Sequence, residues 1–391
     1  MNDPTLPLLS CILAVALASS VVALGSGAPS SAEHPATIVV GSIPVGMDPS
    51  SIAYGGHGDL YVTDQGSNET SIISGASQSV IGEVPISGIP VSIAFDNASG
   101  ALYEDFYNQS GYNYMAEING TSNLVVHNIT VGPGGVFGVA YDSMNHFVYE
   151  NVGGNVSVVD TLTSTRIFQL QPTGVDLAFD PSNGHLYDTG GRPSGDFSPG
   201  EVLVFNGSGT SRPTSAPSSV FVGAGALGIV VDSGTNTIYV DTYIPGNLSG
   251  NVSTISGASD TVTGSVEVGA NPTGIAVDPE SGNVLVTCYS SPTSAGNVTF
   301  IDPASGMVVG SIPVGLAPVA IAIDNVNGYA YVVNSGSDSV SYFPLGFASP
   351  SAPSPTPFPV IIVPVVGAAA VGFGALAIWI WKHKPHNLPP S

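Results

Sequence analysis

Short apolar runs recur along most of this chain, and each is followed by the same succession of polar and apolar positions. A Gly/Pro-containing turn leads into four residues of the type Ser51-Ile52-Ala53-Tyr54. The same stretch returns as Ser92-Ile93-Ala94-Phe95, Gly138-Val139-Ala140-Tyr141, Asp176-Leu177-Ala178-Phe179, Gly228-Ile229-Val230-Val231, Gly274-Ile275-Ala276-Val277 and Ala320-Ile321-Ala322-Ile323. After each comes an Asp-led turn, a Tyr-Val-type strand, a polar loop, a third strand and a fourth. Runs this short, β-branched and bounded by Gly, Asn, Asp and Pro predict strands rather than helices. They are continuous rather than alternating, as expected where both faces of a sheet are covered.

The seven starts lie 38 to 52 residues apart, a period that predicts one four-stranded unit per repeat. Seven such units predict an all-β, seven-bladed β-propeller over residues 36–346. The ends predict how the ring closes. Val39-Val40-Gly41-Ser42-Ile43-Pro44-Val45-Gly46 recurs letter for letter at Val308 to Gly315, as the fourth strand of the sixth repeat. The chain therefore begins with an orphan fourth strand, while the seventh repeat has only three. Residues 37–43 are expected to complete the last blade beside Ser339 to Phe343, removing an open sheet edge.

The pattern changes at both ends. Leu6 to Leu24 is almost uniformly apolar and is followed by Gly25, Ser26, Gly27 and Ala28, so residues 1–28 read as a signal peptide or N-terminal membrane segment. Cys11 lies within that run, which continues past it, so a lipid-modified cysteine is not expected. Residues 347–357 alternate Pro with Ser and Thr, the composition of an extended stalk, at about 3.1 Å per residue. Residues 358–381 carry no charge; as a helix they rise about 36 Å, enough to span a membrane with some tilt. Trp379 and Trp381 fit interfacial depth, and Lys382 and Lys384 place residues 382–391 on the cytoplasmic side. The expectation is a single-pass membrane protein with its propeller outside the cell.

Composition narrows the function. Only 8% of residues are charged, and 28 acidic against 5 basic residues give a net charge of −23. Before the C-terminal apolar run the basic residues are Arg166, Arg192 and Arg212. Such a surface repels phosphates, so no nucleic-acid partner is expected. It attracts cations or basic partners, or is simply a solvated acidic surface. A sparse surface without lysine also suits an acidic medium, where carboxylates protonate with little change in pairing. Cys11 and Cys288 are not expected to form a disulfide.

The Tyr61-Val62-Thr63-Asp64 and Tyr331-Val332-Val333-Asn334 strands, with their Val-Gly-x-x-Pro turns, resemble the YVTN family of β-propeller repeats. The resemblance covers residues 37–343, with departures at Tyr149-Glu150 and Tyr187-Asp188. It implies a prokaryotic surface-layer or exported propeller. It does not imply one activity, because related propellers serve as adhesion, scaffold, lyase and redox modules.

Candidate chemistry is thin. Asp96, Asp142, Asp180, Asp232, Asp278 and Asp324 hold one turn position in six repeats. They read either as a carboxylate ring or, preferably, as side chains that bond the N–H groups of their own turns. His57, His146 and His185 share that turn at differing offsets, and no metal-ligand spacing, phosphate loop or nucleophile elbow occurs. No catalytic residue, metal or cofactor is therefore expected.

The connections between second and third strands are long in several repeats: Asn108 to Gly111, Arg192 to Gly200, Ile244 to Gly250 and Ser290 to Gly296. Tyr103, Phe106, Tyr107, Tyr112 and Tyr114 surround the first. They read either as a binding-face aromatic patch for protein or glycan, or as blade packing. Sequons at Asn68, Asn97, Asn108, Asn119, Asn206, Asn247, Asn251 and Asn297 are candidate N-glycosylation sites; those at Asn128 and Asn155 are at or beside strands and are expected to stay unmodified.

The leading expectation is a monomeric, membrane-anchored, non-enzymatic surface binding, adhesion or envelope-scaffold protein. One alternative is an exported lyase- or hydrolase-like propeller using carboxylates and a divalent cation in the axial opening. The other is a ligand-sensing or redox accessory domain.

Overall fold

A computed structural model describes residues 40–346, apart from 57, 172–173, 191–199, 207–216, 224 and 244–248. The expected signal segment, stalk, membrane helix and tail lie outside the described residues. Among those described, no helix is long and apolar enough to cross a membrane.

The described residues form seven antiparallel four-stranded sheets, the blades of a seven-bladed β-propeller. The seven predicted first strands are all strands: Pro49–Tyr54, Ile89–Asp96, Val136–Asp142, Leu177–Asp180, Ala226–Asp232, Pro272–Val277 and Pro318–Asp324. Six blades take four consecutive strands. The seventh takes Pro318–Asp324, Tyr329–Asn334 and Ser339–Pro344, and its outer strand is Gly41–Pro44 from the start of the chain. The register of that seam is Gly41↔Tyr342, Ser42↔Ser341, Ile43↔Val340 and Pro44↔Ser339. Closure by the N-terminal strand is therefore as the repeated segment predicts, although residues 37–39 lie outside the described range.

Burial explains why the strands need so few charges. The hydrophobic core is divided into seven clusters, each drawn from two adjacent blades. At the seam Ile43, Tyr331, Val333 and Val340 of the last blade pack with Ile52, Leu60, Val62 and Ile73 of the first. Each blade is thus covered on both faces, so apolar side chains are required at successive positions rather than alternate ones.

The recurrent Tyr of the second strand ties blades together. Tyr61 Oη donates to Asn123 Oδ1 at 2.8 Å, Tyr187 Oη to Asp260 Oδ1 at 3.0 Å, and Tyr331 Oη to the Gly75 carbonyl at 3.4 Å. Each acceptor lies in the turn between third and fourth strands of the next blade, the last one reaching from blade seven to blade one.

Turn chemistry follows the residues. Asp96 Oδ1 accepts from the N–H of Ala98 at 2.8 Å, Asp142 Oδ1 from Met144 at 2.8 Å, and Asp180 Oδ1 from Ser182 at 2.8 Å. Asp232, Asp278 and Asp324 accept likewise from Gly234, Glu280 and Val326 at 3.0 Å. The six aspartates brace their own turns.

Candidate functional site

The antiparallel order of each blade sends its connections to two opposite faces. First-to-second-strand connections emerge on one face; they are four residues long in six blades and six in the sixth. Second-to-third-strand connections emerge on the other, together with the connections between blades, and span two to nine residues. Residues Gly153–Gly154 make the shortest and 191–199 the longest. Third-to-fourth-strand connections share the first face and are four residues long in five blades, but residues 206–217 make this connection in the fourth; that face is therefore uniform apart from one connection, and the other is variable.

The first strands surround the axis. Each starts at the variable face, and there they enclose a cavity of about 470 Å³ lined by residues of all seven blades. The leading residues of the seven first-strand stretches are Ser51, Ser92, Gly138, Asp176, Gly228, Gly274 and Ala320, small side chains with one exception. Small residues are required by crowding: a Cβ on Gly274 would lie 2.8 Å from Ala320 Cα, and one on Gly228 would lie 2.5 Å from Asp241 Oδ2.

A bulge interrupts most first strands at this level, between Pro49 and Ser51, Pro90 and Ser92, Ala226 and Ile229, Pro272 and Gly274, and Pro318 and Ala320. A bulge leaves a backbone N–H without its ladder partner. The second strand supplies the acceptor. Ser51 N–H donates to Thr63 Oγ1 at 2.9 Å, Ser92 to Asp105 Oδ1 at 2.7 Å, and Gly228 to Asp241 Oδ1 at 3.1 Å. Asp176 N–H donates to Thr189 Oγ1 at 2.9 Å and Gly274 to Thr287 Oγ1 at 2.8 Å. Hydroxyls at this level also reach into the following blade: Thr189 Oγ1 donates to the Leu227 carbonyl at 2.8 Å, and Thr273 Oγ1, on a first strand, to that of Pro318 at 2.9 Å.

Asp176 is the exception in the ring and the one carboxylate among the described residues that line the cavity. Its Oδ1 accepts from Leu177 N–H at 2.9 Å and its Oδ2 from Ile229 N–H, in the next blade, at 3.2 Å. Burial in the narrow channel pushes its carboxyl up to about 6, against the lowering effect of those two N–H groups. No histidine lines the cavity among the described residues. Nor do three His, Cys, Asp or Glu side chains converge anywhere among them in a way that could hold a metal ion.

Behind the ring lies a second set of acids on the second strands. Glu104, Asp105, Glu150 and Asp241 are all buried. Thr70 Oγ1 donates to Glu104 Oε2 at 2.5 Å, and Oε1 has no hydrogen-bond partner. Asp105 Oδ2, Asp241 Oδ2 and both oxygens of Glu150 also lack one. Burial pushes Glu104 and Asp241 up to about 8, and raises Asp105 and Glu150; the charge of Asp105 raises Glu150 further, and Arg166 opposes this. These groups are carboxylic acids at neutral pH, which is what lets them stay buried without cations.

The predicted aromatic patch is not one surface. Tyr103 packs against blade three and Phe106 against blade one, both buried. Tyr114 stacks on Phe106 with ring centroids 5.4 Å apart, and Tyr107 is half-buried. Tyr112 alone of the five is exposed. The candidate sequon residues Asn68 and Asn97 on turns and Asn119 at the end of a strand are exposed, as is Asn206, whereas Asn108 is half-buried and Asn247 lies outside the described residues. Asn251 and Asn297 sit on strands, and Asn297 Nδ2 donates to Ser311 Oγ at 2.6 Å. Asn128, expected to stay unmodified because of its strand, does lie on an outer strand and is exposed there.

Of the histidines singled out, His146 Nδ1 lies 3.4 Å from Tyr141 Oη and His185 Nδ1 lies 3.7 Å from Asp260 Oδ2, both on the uniform face; His57 is outside the described residues. Cys288 is a buried free thiol.

Asp176 and the second-strand acids were not recognisable as a site from composition. The signal for Asp176 is its place in the repeat, where every other unit has Ser, Gly or Ala. For Glu104, Asp105 and Glu150 it is an acid inside a Tyr-Val-type strand.

No family model matches the chain, and no characterised protein matches it in sequence. Among solved structures, the hydrazine synthase of Kuenenia stuttgartiensis is similar over 73% of this chain and 73% of that one, with a TM-score of 0.45 and 16% identity.

Proposed function

We propose that this chain is an exported, membrane-anchored propeller of the YVTN type. It acts outside the cell as a non-enzymatic platform for protein or glycan contacts in adhesion or envelope organisation. The observation that carries this reading is the asymmetry of the two faces. A ring braced by inter-blade hydrogen bonds and seven shared cores holds connections of near-constant length on one side, residues 206–217 excepted, and connections of two to nine residues on the other. Variable loops on a rigid scaffold are the usual way to build a recognition surface.

Lyase- or hydrolase-like chemistry in the axial opening needs a general acid or base held beside an electrophilic or metal-binding group. The described lining brings one carboxylate, already bonded to two backbone N–H groups, and no histidine. That favours binding over turnover. The C-terminal apolar segment serves as the anchor, the exposed sequons carry glycans where the host attaches them, and the propeller works as a monomer.

The test is binding of the full-length chain to envelope preparations. A variant in which residues 289–294 are replaced by the Gly-Gly turn of blade three is expected to keep its thermal midpoint and lose partner capture. Equal capture by the shortened variant, or loss of capture by a chain altered only at the uniform face, contradicts the proposal.

A further inference from the structure

We propose that the axial cavity on the variable face is a binding site for a small organic cation, a protonated amine or quaternary ammonium group, recognised by the Asp176 carboxylate and the exposed Phe137 ring that both line it.

Four observations meet here. The cavity is about 470 Å³, within the range of about 300–1,000 Å³ usual for small-ligand sites. Asp176 is its one carboxylate among the described lining residues. Phe137 lines the same cavity and is 49% exposed, unusual for a large aromatic side chain on an inner strand whose neighbours are buried. Gly138, next to Phe137 in the chain, lies against Asp176 of the following blade: a Cβ there would lie 2.7 Å from Asp176 Oδ1 and 2.7 Å from its Cα. Glycine thus leaves room for the Asp176 carboxyl where the two blades meet.

A carboxylate and an exposed aromatic side chain lining one half-enclosed, otherwise apolar and hydroxyl-lined cavity supply the chemistry that recognises an onium group. Ring quadrupole and carboxylate both attract positive charge, and the apolar wall accepts the alkyl substituents. The rest of the described lining adds the hydroxyls of Ser50, Ser51, Ser92 and Thr273 and no cation. A net charge of −23 concentrates cations around the molecule before any contact forms. A divalent metal fits less well, since it needs several oxygen ligands and the described lining supplies one carboxylate whose two oxygens already accept N–H bonds.

This site is independent of the loop contacts proposed above, because residues 289–294 do not line the cavity. Asp241, in the next blade, is kept protonated up to about 8 chiefly by burial, to which the charge of Asp176 adds. Onium binding therefore rises as pH increases through about 6, where Asp176 ionises.

The experiment is calorimetric titration of the full-length protein with choline and with its uncharged isostere 3,3-dimethyl-1-butanol. Choline is expected to bind at least about tenfold more tightly than the isostere. Asp176→Asn keeps an oxygen to accept the Leu177 N–H; it is expected to weaken choline about tenfold or more and leave the isostere unchanged. Phe137→Leu is expected to weaken choline several-fold with the thermal midpoint retained, and it decides the matter if the Asp176 variant does not fold. Equal affinity for the two probes, no binding of choline, or wild-type binding by a folded Phe137→Leu variant overturns the proposal.

Discussion

Ile43 faces Val340 across the last blade, pairing the start of the propeller with its end. Both are buried in the cluster that joins blade seven to blade one. The N–H of Val45 extends the seam to the Asp338 carbonyl at 3.1 Å, and the N–H of Asp48 reaches Asp338 Oδ1 at 2.9 Å. A ring closed this way shares the loss of any one seam contact among all seven blades.

Ile43→Ala is expected to cost about 2–4 kcal/mol, the usual range for truncating a buried aliphatic side chain. Deleting residues 37–43 should lower the thermal midpoint of the whole propeller in one transition. Unchanged denaturation of the deletion variant would mean that the N-terminal strand does not close the ring.

The buried acids predict unusual pH dependence. A carboxyl whose pKa is raised in the folded state contributes stability that is fully present below its unfolded value, about 4, and is lost as pH rises through the folded value. For Glu104 and Asp241 that folded value is about 8. Chemical denaturation should therefore show stability highest in acid and declining between about pH 4 and 8. Glu104→Gln should be more stable than the native chain at pH 8, by an amount on the order of a few kcal/mol, and equal to it near pH 4. A stability maximum at neutral pH, with no effect of Glu104→Gln, would contradict the assignment. The direction agrees with the acidic medium that a lysine-free surface suits.

Much of the fold was legible in the repeats, because each blade repeats one strand grammar and the seam is written twice. Six of the seven first-strand stretches fall within observed strands, and the fourth does so from Leu177 onward; the turn aspartates bond their own turns. The aromatic patch misled for a physical reason. On a sheet exposed on one face, residues three apart such as Tyr103 and Phe106 point to opposite sides, and one reaches solvent. Here both sides are covered by neighbouring blades, so both are buried. The axial site was hidden because Asp176, Phe137 and Gly138 come together only when the ring brings the starts of two inner strands side by side. No spacing within one repeat encodes that contact.

Thr287→Val tests the bulge chemistry. It removes the acceptor for the Gly274 N–H, leaving that buried group without its partner at a cost of about 1–3 kcal/mol. Thr287→Ser, which retains the hydroxyl, should recover most of it. Equal stabilities for Val and Ser variants in urea denaturation would show that the hydroxyl is dispensable.

Asp324 accepts from Val326 N–H, Asn327 N–H and Asn327 Nδ2 at 3.0, 3.0 and 2.7 Å. Asp324→Ala should cost about 1–2 kcal/mol. Added calcium or a chelator should leave the native midpoint where it is, because the turn acids serve their own backbones. A calcium-dependent midpoint that the Ala variant loses would assign the ring of turn acids to a cation instead.

Hydrogen–deuterium exchange of the full-length chain, with and without an envelope extract, tests the binding role most directly. Protection is predicted in the variable-face connections, residues 65–68, 108–111, 289–294 and 335–338. Protection confined to the uniform turns at 97–100, 143–146, 181–184 and 325–328, or no protection at all, would contradict it.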